Sequence, residues 1–208
     1  MIRPPGFRGA AFGDASDGDG RSHHESRVAI ATSLGIAMDW AWMHQVHGRG
    51  VVRVTAAGPQ GDADAAFTSE PGLPLAVYTA DCYPVVVEAD GAVGIAHSGW
   101  PGTAGGVVPA LLDAMTAAGF RPARAAVGPG IGACCFEVGP EVAARFPDNP
   151  GQTSWGTTSV DLAGAIAGAL SGLEVWVSGG CTMSDDGYHS HRRDGTAERQ
   201  VAVAWLPV

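Results

Sequence analysis

At 208 residues the chain is long enough for one sizeable domain. It carries 21 acidic against 12 basic residues, a formal charge of -9, and every basic residue is arginine. That balance excludes an electrostatic nucleic-acid binder, which needs a basic face to displace counterions. It also excludes a polybasic membrane anchor. With 31 Gly and 14 Pro the chain has many turns, so a loop-rich mixed α/β protein is expected rather than a helical bundle.

Residues 1–26 are rich in Gly, Asp, Ser and His, have no periodicity, and read as a flexible N-terminal segment preceding a single domain over 27–208. Their start lacks a charged region followed by an apolar core, so neither a signal peptide nor a transmembrane helix is expected. Asp14, Asp17 and Asp19 alternate with small residues but lack the closing Glu of a calcium loop. Ser26 is the expected cap of a helix over 27–34 that ends at Gly35. A strand is expected over 50–55, with His47 at its entrance beside Gly48. Asp64 introduces a short strand, and 73–78 is a further strand feeding a central pair.

That pair is expected over 85–87 and 92–96, joined antiparallel through a turn at Asp90-Gly91. Cys82 lies just before the first strand and His97 just after the second, so the turn sets the two side by side. A small-residue loop follows Trp100 and opens a helix over 107–118; it lacks the Lys-Ser/Thr of a phosphate loop. A strand over 124–127, a helix over 140–146 and an exposed stretch over 147–158 come next. Ser159 is the expected cap of a helix over 160–170, and strands over 174–177 and 199–206 complete the chain.

Three potential ligands, His47, Cys82 and His97, thus fall at strand ends next to turns. Two imidazoles and a thiolate suit a catalytic zinc with one open position, or copper. Asp64 and Asp81 are the nearest carboxylates, available as proton carriers or as partners that orient a ligand histidine. A Cys82 nucleophile activated by His47 or His97 is the rival catalytic reading. Trp100 and Tyr83 flank the ligands and offer faces for stacking. Arg192-Arg193, the only adjacent basic pair, is the first candidate for an anion. Cys134 and Cys135 read as buried small hydrophobes, and the absence of a disulfide pattern fits a reducing cytoplasm.

Taken together, Gln45-Val46-His47-Gly48, Ala63-Asp64-Ala65-Ala66-Phe67-Thr68, Thr79-Ala80-Asp81-Cys82-Tyr83-Pro84 and Ala96-His97-Ser98-Gly99-Trp100 resemble the YfiH-type laccase-domain family. So do Gly128-Pro129-Gly130-Ile131-Gly132-Ala133-Cys134-Cys135-Phe136-Glu137-Val138-Gly139 and Cys181-Thr182 with Ser190-His191-Arg192-Arg193-Asp194-Gly195. The resemblance implies an α/β (α+β) single domain with a mixed β-sheet core flanked by helices, and a metal site on His47, Cys82 and His97. It implies a zinc-dependent enzyme taking purine nucleosides and phosphate, with phosphorolysis of adenosine, inosine, guanosine and methylthioadenosine, and adenosine deamination. A copper-dependent polyphenol oxidase and a peptidoglycan-precursor editing factor are the alternatives. A cytoplasmic monomer is expected. Two positions depart from the family. Pro101 replaces a usual Arg or Lys, a natural phosphate partner, which weighs against phosphorolysis more than against deamination. Phe136 stands where Tyr is common.

Overall fold

The computed structural model describes residues 1–208. In chain order the elements are β1 (Ala10–Phe12), α1 (His24–Leu34), β2 (Ala41–His44), β3 (Val51–Arg53), β4 (Gly58–Asp62), β5 (Ala65–Thr68), β6 (Leu75–Thr79), β7 (Tyr83–Ala89) and β8 (Ala92–Ser98). They continue with α2 (Trp100–Gly105), α3 (Val107–Ala117), β9 (Pro122–Val127), α4 (Pro140–Ala143), β10 (Pro150–Gln152), β11 (Thr158–Val160), α5 (Leu162–Ala169), β12 (Glu174–Val177), α6 (His191–Asp194) and β13 (Gln200–Ala204). No helix is long and apolar enough to cross a membrane.

The strands form two mixed sheets, ordered β1-β13-β6-β2-β4 and β12-β9-β7-β8-β5-β3, plus the β10-β11 hairpin. The apolar runs of the central strands explain the layering. Side chains alternate faces along a strand, so a strand buried on both sides reads as a continuous apolar run. Val85 and Val87 pack toward Leu111 and Met115 of α3 and Ile166 of α5. Val86 points the other way, into a core shared with Phe12, Leu75, Val77 and Ala202 of the other sheet. On that sheet's far face Ala76 and Tyr78 meet Ile30, Ala31 and Leu34 of α1. The order is therefore helix, five-stranded sheet, six-stranded sheet, helices, with the two sheets face to face. Each fully buried Val or Leu contributes on the order of 1.5–3 kcal/mol. This is the α+β single domain expected from the family resemblance, with its strands divided between two sheets.

The central hairpin forms as expected: β7 and β8 pair antiparallel, with Pro84 opposite His97 and Tyr83 opposite Ser98. Other elements differ from the sequence expectation for identifiable reasons. Residues 1–26 are not set apart from the domain. β1 is fully buried and pairs along its length with β13, while Asp14 and Asp17 form a capping box on a short 3-10 turn. Three small apolar residues between polar turns carry too little periodicity to announce a strand.

Helix α1 begins ahead of Ser26, but Gly35 closes it in the left-handed conformation as expected. The loop expected after Trp100 is instead mostly helix α2, with Pro101 in its first turn, where a missing N–H costs nothing. Ser159 and Val160 belong to β11, so α5 starts later and is capped by the Asp161 carboxylate on the Gly164 N–H. Strand β6 lies in the five-stranded sheet, between β13 and β2, and not beside the hairpin it precedes.

Candidate metal centre and substrate cavity

His47, Cys82 and His97 converge, with one ligand atom from each within 4.8 Å of the others. The β7–β8 register places Cys82 and His97 on one sheet end. His47 arrives from the turn after β2, and its ring meets that of His97 edge to face at 4.8 Å between centroids. Cys82 Sγ is 3.8 Å from His47 Nε2.

The backbone is shaped to make this convergence. His47 has φ +58° and Asp81, directly before Cys82, has φ +85°. Non-glycine residues rarely adopt these values, and such strain gathers at functional sites. Gly99 completes the cradle: a Cβ there would lie 2.8 Å from Cys82 Sγ and 2.9 Å from His47 Cδ2.

Asp64 organises the centre from behind. It is fully buried at the head of β5. Its carboxylate accepts the backbone N–H groups of Val46, His47 and Gly48 at 3.2, 3.0 and 2.6 Å. It also accepts Nδ1–H of His97 at 2.8 Å, which leaves Nε2 of that ring as the available donor atom. Burial alone would raise the Asp64 pKa; the His97 and backbone hydrogen bonds outweigh it and lower it below the ordinary carboxylate value. Burial likewise pushes the Cys82 thiol up, but the two imidazoles bring it down to about 6. Burial lowers His97, while Asp64 and Cys82 raise it to about 9. A thiol ready to ionise, an imidazole fixed through its far nitrogen and a cradle cleared by glycine fit a soft or borderline metal ion.

The three residues line a cavity of about 650 Å³, within the roughly 300–1,000 Å³ of small-molecule sites. Trp100 lines it too. Asp81 is also at the wall, but its carboxylate is engaged: it accepts from the hydroxyls of Thr182 and Ser190 and the backbone N–H of Arg192. Arg192 reaches the cavity with its guanidinium 5.4 Å over the Phe136 ring.

Two expected substrate residues are placed elsewhere. Tyr83 is buried under the sheet end and donates its hydroxyl to the Ile131 carbonyl. Arg193 turns inward onto the carbonyls of Thr182, Met183, Asp185 and Tyr188, where it ties the last loop together. Adjacent helical residues point about 100° apart, so an Arg-Arg pair does not present both charges to one site.

Sequence reading missed Arg21, Arg27 and Arg199, which line the same cavity with Arg192. These four come from widely separated stretches, so no local pattern announces them. The arginine–carboxylate ion pairs of the protein involve Arg124 and Arg193 instead. A chain of net charge -9 thus collects four cations unpaired with carboxylates around one cavity.

Comparison with known proteins agrees with this architecture. Residues 4–207 match the family described as multi-copper polyphenol oxidoreductase laccase. A purine nucleoside phosphorylase of Deinococcus radiodurans is 43% identical over 97% of this chain and 83% of its own length. One from Streptomyces coelicolor is 39% identical over 95% of this chain and 86% of its own. Among solved structures, YlmD from Geobacillus stearothermophilus superposes with a TM-score of 0.82 at 28% identity, covering 100% of this chain and 98% of that one. The hypothetical protein YfiH of Bacillus licheniformis gives 0.81 at 28% identity, over 88% of this chain and 80% of that one. With the family pattern matched across nearly its whole length and the same fold in these relatives, the chain belongs to the YfiH-type laccase-domain family.

Proposed function

We propose that this chain is a zinc-dependent purine nucleoside phosphorylase acting on adenosine, inosine, guanosine and methylthioadenosine. The observation that carries the reading is the shared cavity: the His47, Cys82 and His97 cluster and four arginines open onto the same space. The names of the relatives point the same way. The four arginines also answer the loss of a cation at Pro101. Guanidinium groups suit phosphate through paired N–H donors.

In phosphorolysis a phosphate oxygen forms a bond to the ribose anomeric carbon as the glycosidic bond breaks. The purine leaves with the electron pair and takes up a proton. Arg21 and Arg27 are the proposed phosphate partners, since Arg192 already spends an N–H on the Glu137 carbonyl and Arg199 spends its own on the Thr196 and Glu198 carbonyls. Trp100 and the Phe136–Arg192 stack offer flat faces to the purine. Held by His47, Cys82 and His97, zinc would supply positive charge against the negative charge that develops in the reaction. Asp64 is a positioning residue, because His97 and three backbone N–H groups saturate it. Asp81 anchors the start of α6 and thereby Arg192. The four unpaired cysteines suit a reducing cytoplasm.

The test is chromatography of adenosine, inosine and guanosine incubated with zinc-loaded protein, with and without phosphate, beside a Cys82→Ala control. Free base that requires phosphate and disappears in the control supports the phosphorylase. Inosine from adenosine without phosphate would instead make it a deaminase. Oxidation of a phenol by copper-loaded protein, with no nucleoside turnover, would favour the oxidase. No product from either substrate class would favour a role in editing cell-wall precursors.

A further inference from the structure

A second cluster of metal-ligating atoms lies outside the cavity. Strands β9 and β12 are parallel neighbours, so the loops that follow them leave the same end of the sheet. Cys134 and Cys135 lie on the first loop and Cys181 on the second. Their sulfurs fall within 4.8 Å of one another, with Cys134 and Cys135 at 3.4 Å. Two thiolates on one tetrahedral zinc at ~2.3 Å lie about 3.8 Å apart, inside that range. We propose that Cys134, Cys135 and Cys181 form a three-thiolate site for a thiophilic cation, Cu(I) or Zn(II), distinct from the His47, Cys82 and His97 centre.

The local structure holds the site ready. The two loops are bridged between Gly130 and Cys181, and Thr182 N–H donates to the Gly130 carbonyl at 3.0 Å. Gly132 N–H donates to Cys181 Sγ at 3.3 Å, a hydrogen bond that favours thiolate. Gly132 packs closely on the cluster: a Cβ there would sit 3.3 Å from Cys134 Sγ and at ordinary contact distance, 3.5 Å, from Cys181 Sγ. Burial raises the Cys181 thiol, but the Ser184 hydroxyl and the Gly132 N–H bring it down to about 7. Cys134 is exposed and gives an ion access, whereas Cys135 is buried. A bridge between adjacent Cys134 and Cys135 would need a strained ring. The donor set is all sulfur, the soft set that selects Cu(I) or zinc over harder ions. Thiol protons leave to solvent as the ion binds. The next residue, Thr182, donates to Asp81, so an ion here would brace the wall of the main cavity.

The test is to strip the reduced protein and titrate it separately with Zn(II) and Cu(I), each against a competing chelator. The arms are the unaltered chain, Cys82→Ala, and the double variant Cys134→Ser with Cys181→Ser. The expected result is two ions in the unaltered protein and one in each variant. X-ray absorption should show an all-sulfur shell for the ion kept by Cys82→Ala and a mixed nitrogen and sulfur shell for the ion kept by the double variant. The metal that survives the stronger chelator in Cys82→Ala identifies the preferred cation. A single ion, lost in Cys82→Ala and unaffected in the double variant, would overturn the proposal. Because serine variants can fail to fold, alkylation mapping of folded Cys82→Ala provides an independent check. Added metal should protect Cys134 and Cys181, and absence of protection, or a disulfide to Cys181 with no ion bound after reduction, rejects the site.

Discussion

The carboxylate of Asp64 holds the Nδ1–H of His97 at 2.8 Å, with Asp64 wholly buried. The same oxygen accepts the backbone N–H of His47 at 3.0 Å. One carboxylate therefore fixes both histidines of the centre, one through its ring and the other through its main chain. In Asp64→Asn the amide presents an NH2 group to donors that need an acceptor. Metal affinity should fall about 10–100-fold, the usual cost of losing such an orienting partner. Competition with a zinc chelator measures it, and unchanged affinity would remove Asp64 from its positioning role.

The same residue predicts an acid limb of stability. The folded-state pKa of Asp64 is lowered, so its contribution is present above the ordinary carboxylate pKa. It is lost as pH falls through the lower folded value. Urea unfolding of the metal-free protein at descending pH should show this loss in the unaltered chain and a shallower decline in Asp64→Asn. Parallel curves would contradict the assignment.

Cys82 makes a second pH prediction. In metal-free protein its thiol ionises at about 6, while His97 stays protonated to about 9. Between these values the pair is a thiolate beside an imidazolium. The rate of iodoacetamide alkylation at Cys82 should rise with a midpoint near 6. In His97→Ala the midpoint should move up toward an ordinary thiol. A midpoint that ignores His97 would mean the imidazole does not govern the thiol.

Gly99 gives a steric test of the cradle. In Gly99→Ala the added methyl would lie 2.8 Å from Cys82 Sγ, against the ~3.5–4.0 Å of an ordinary carbon contact. The sulfur and the His47 ring have to separate. Zinc binding should be lost or greatly weakened while far-UV circular dichroism stays unchanged. Retained affinity would show that the ligand loop can yield.

What could be read from the sequence follows the range of the forces involved. The β7–β8 hairpin and the placing of Cys82 and His97 at one end of it were legible because an Asp-Gly turn between apolar runs fixes register locally. The end of α1 at Gly35 and the strand Glu174–Val177 were equally local. Pro101-Gly102-Thr103-Ala104-Gly105-Gly106 reads as a loop but most of it forms helix α2, because residues of low helix propensity are held there by tertiary contacts. The Arg21, Arg27, Arg192 and Arg199 constellation depends on how helices α1 and α6 and their flanking loops meet over the cavity, and the Cys181 partnership on which loops leave one end of the sheet. Sequence periodicity does not encode that.

Arg192 and Arg193 are adjacent in sequence and opposite in predicted consequence. Arg193 donates to four backbone carbonyls, and a lysine cannot reproduce that fork. Hydrogen bonds to charged groups contribute ~1.5–3 kcal/mol and a domain of this size moves about 2–4 °C per kcal/mol, so Arg193→Lys should lower Tm by roughly 5–10 °C. Arg192→Ala gives up one such bond, to the Glu137 carbonyl, and its place over Phe136, so it should lower Tm less than Arg193→Lys and raise the KM for nucleoside. Calorimetry and steady-state kinetics on both variants separate the roles, and interchanged phenotypes would refute them.

The N-terminal strand offers the plainest test of the fold. Phe12 is 1% exposed, belongs to the core between the two sheets, and stacks on Trp176 of β12 with centroids 6.2 Å apart at 14°. It therefore ties the first strand of one sheet to the edge of the other. The ring adds to the hydrogen bonds of β1 to β13 and the burial of Ala10 and Ala11 in holding that strand. Phe12→Ala removes it and leaves a void bounded by both sheets. The expected cost is about 3–5 kcal/mol, visible as a lower urea midpoint with an unchanged slope if unfolding stays two-state. A loss below ~1 kcal/mol would mean residues 1–26 add little to the domain, and that the segment is as independent as its composition suggests.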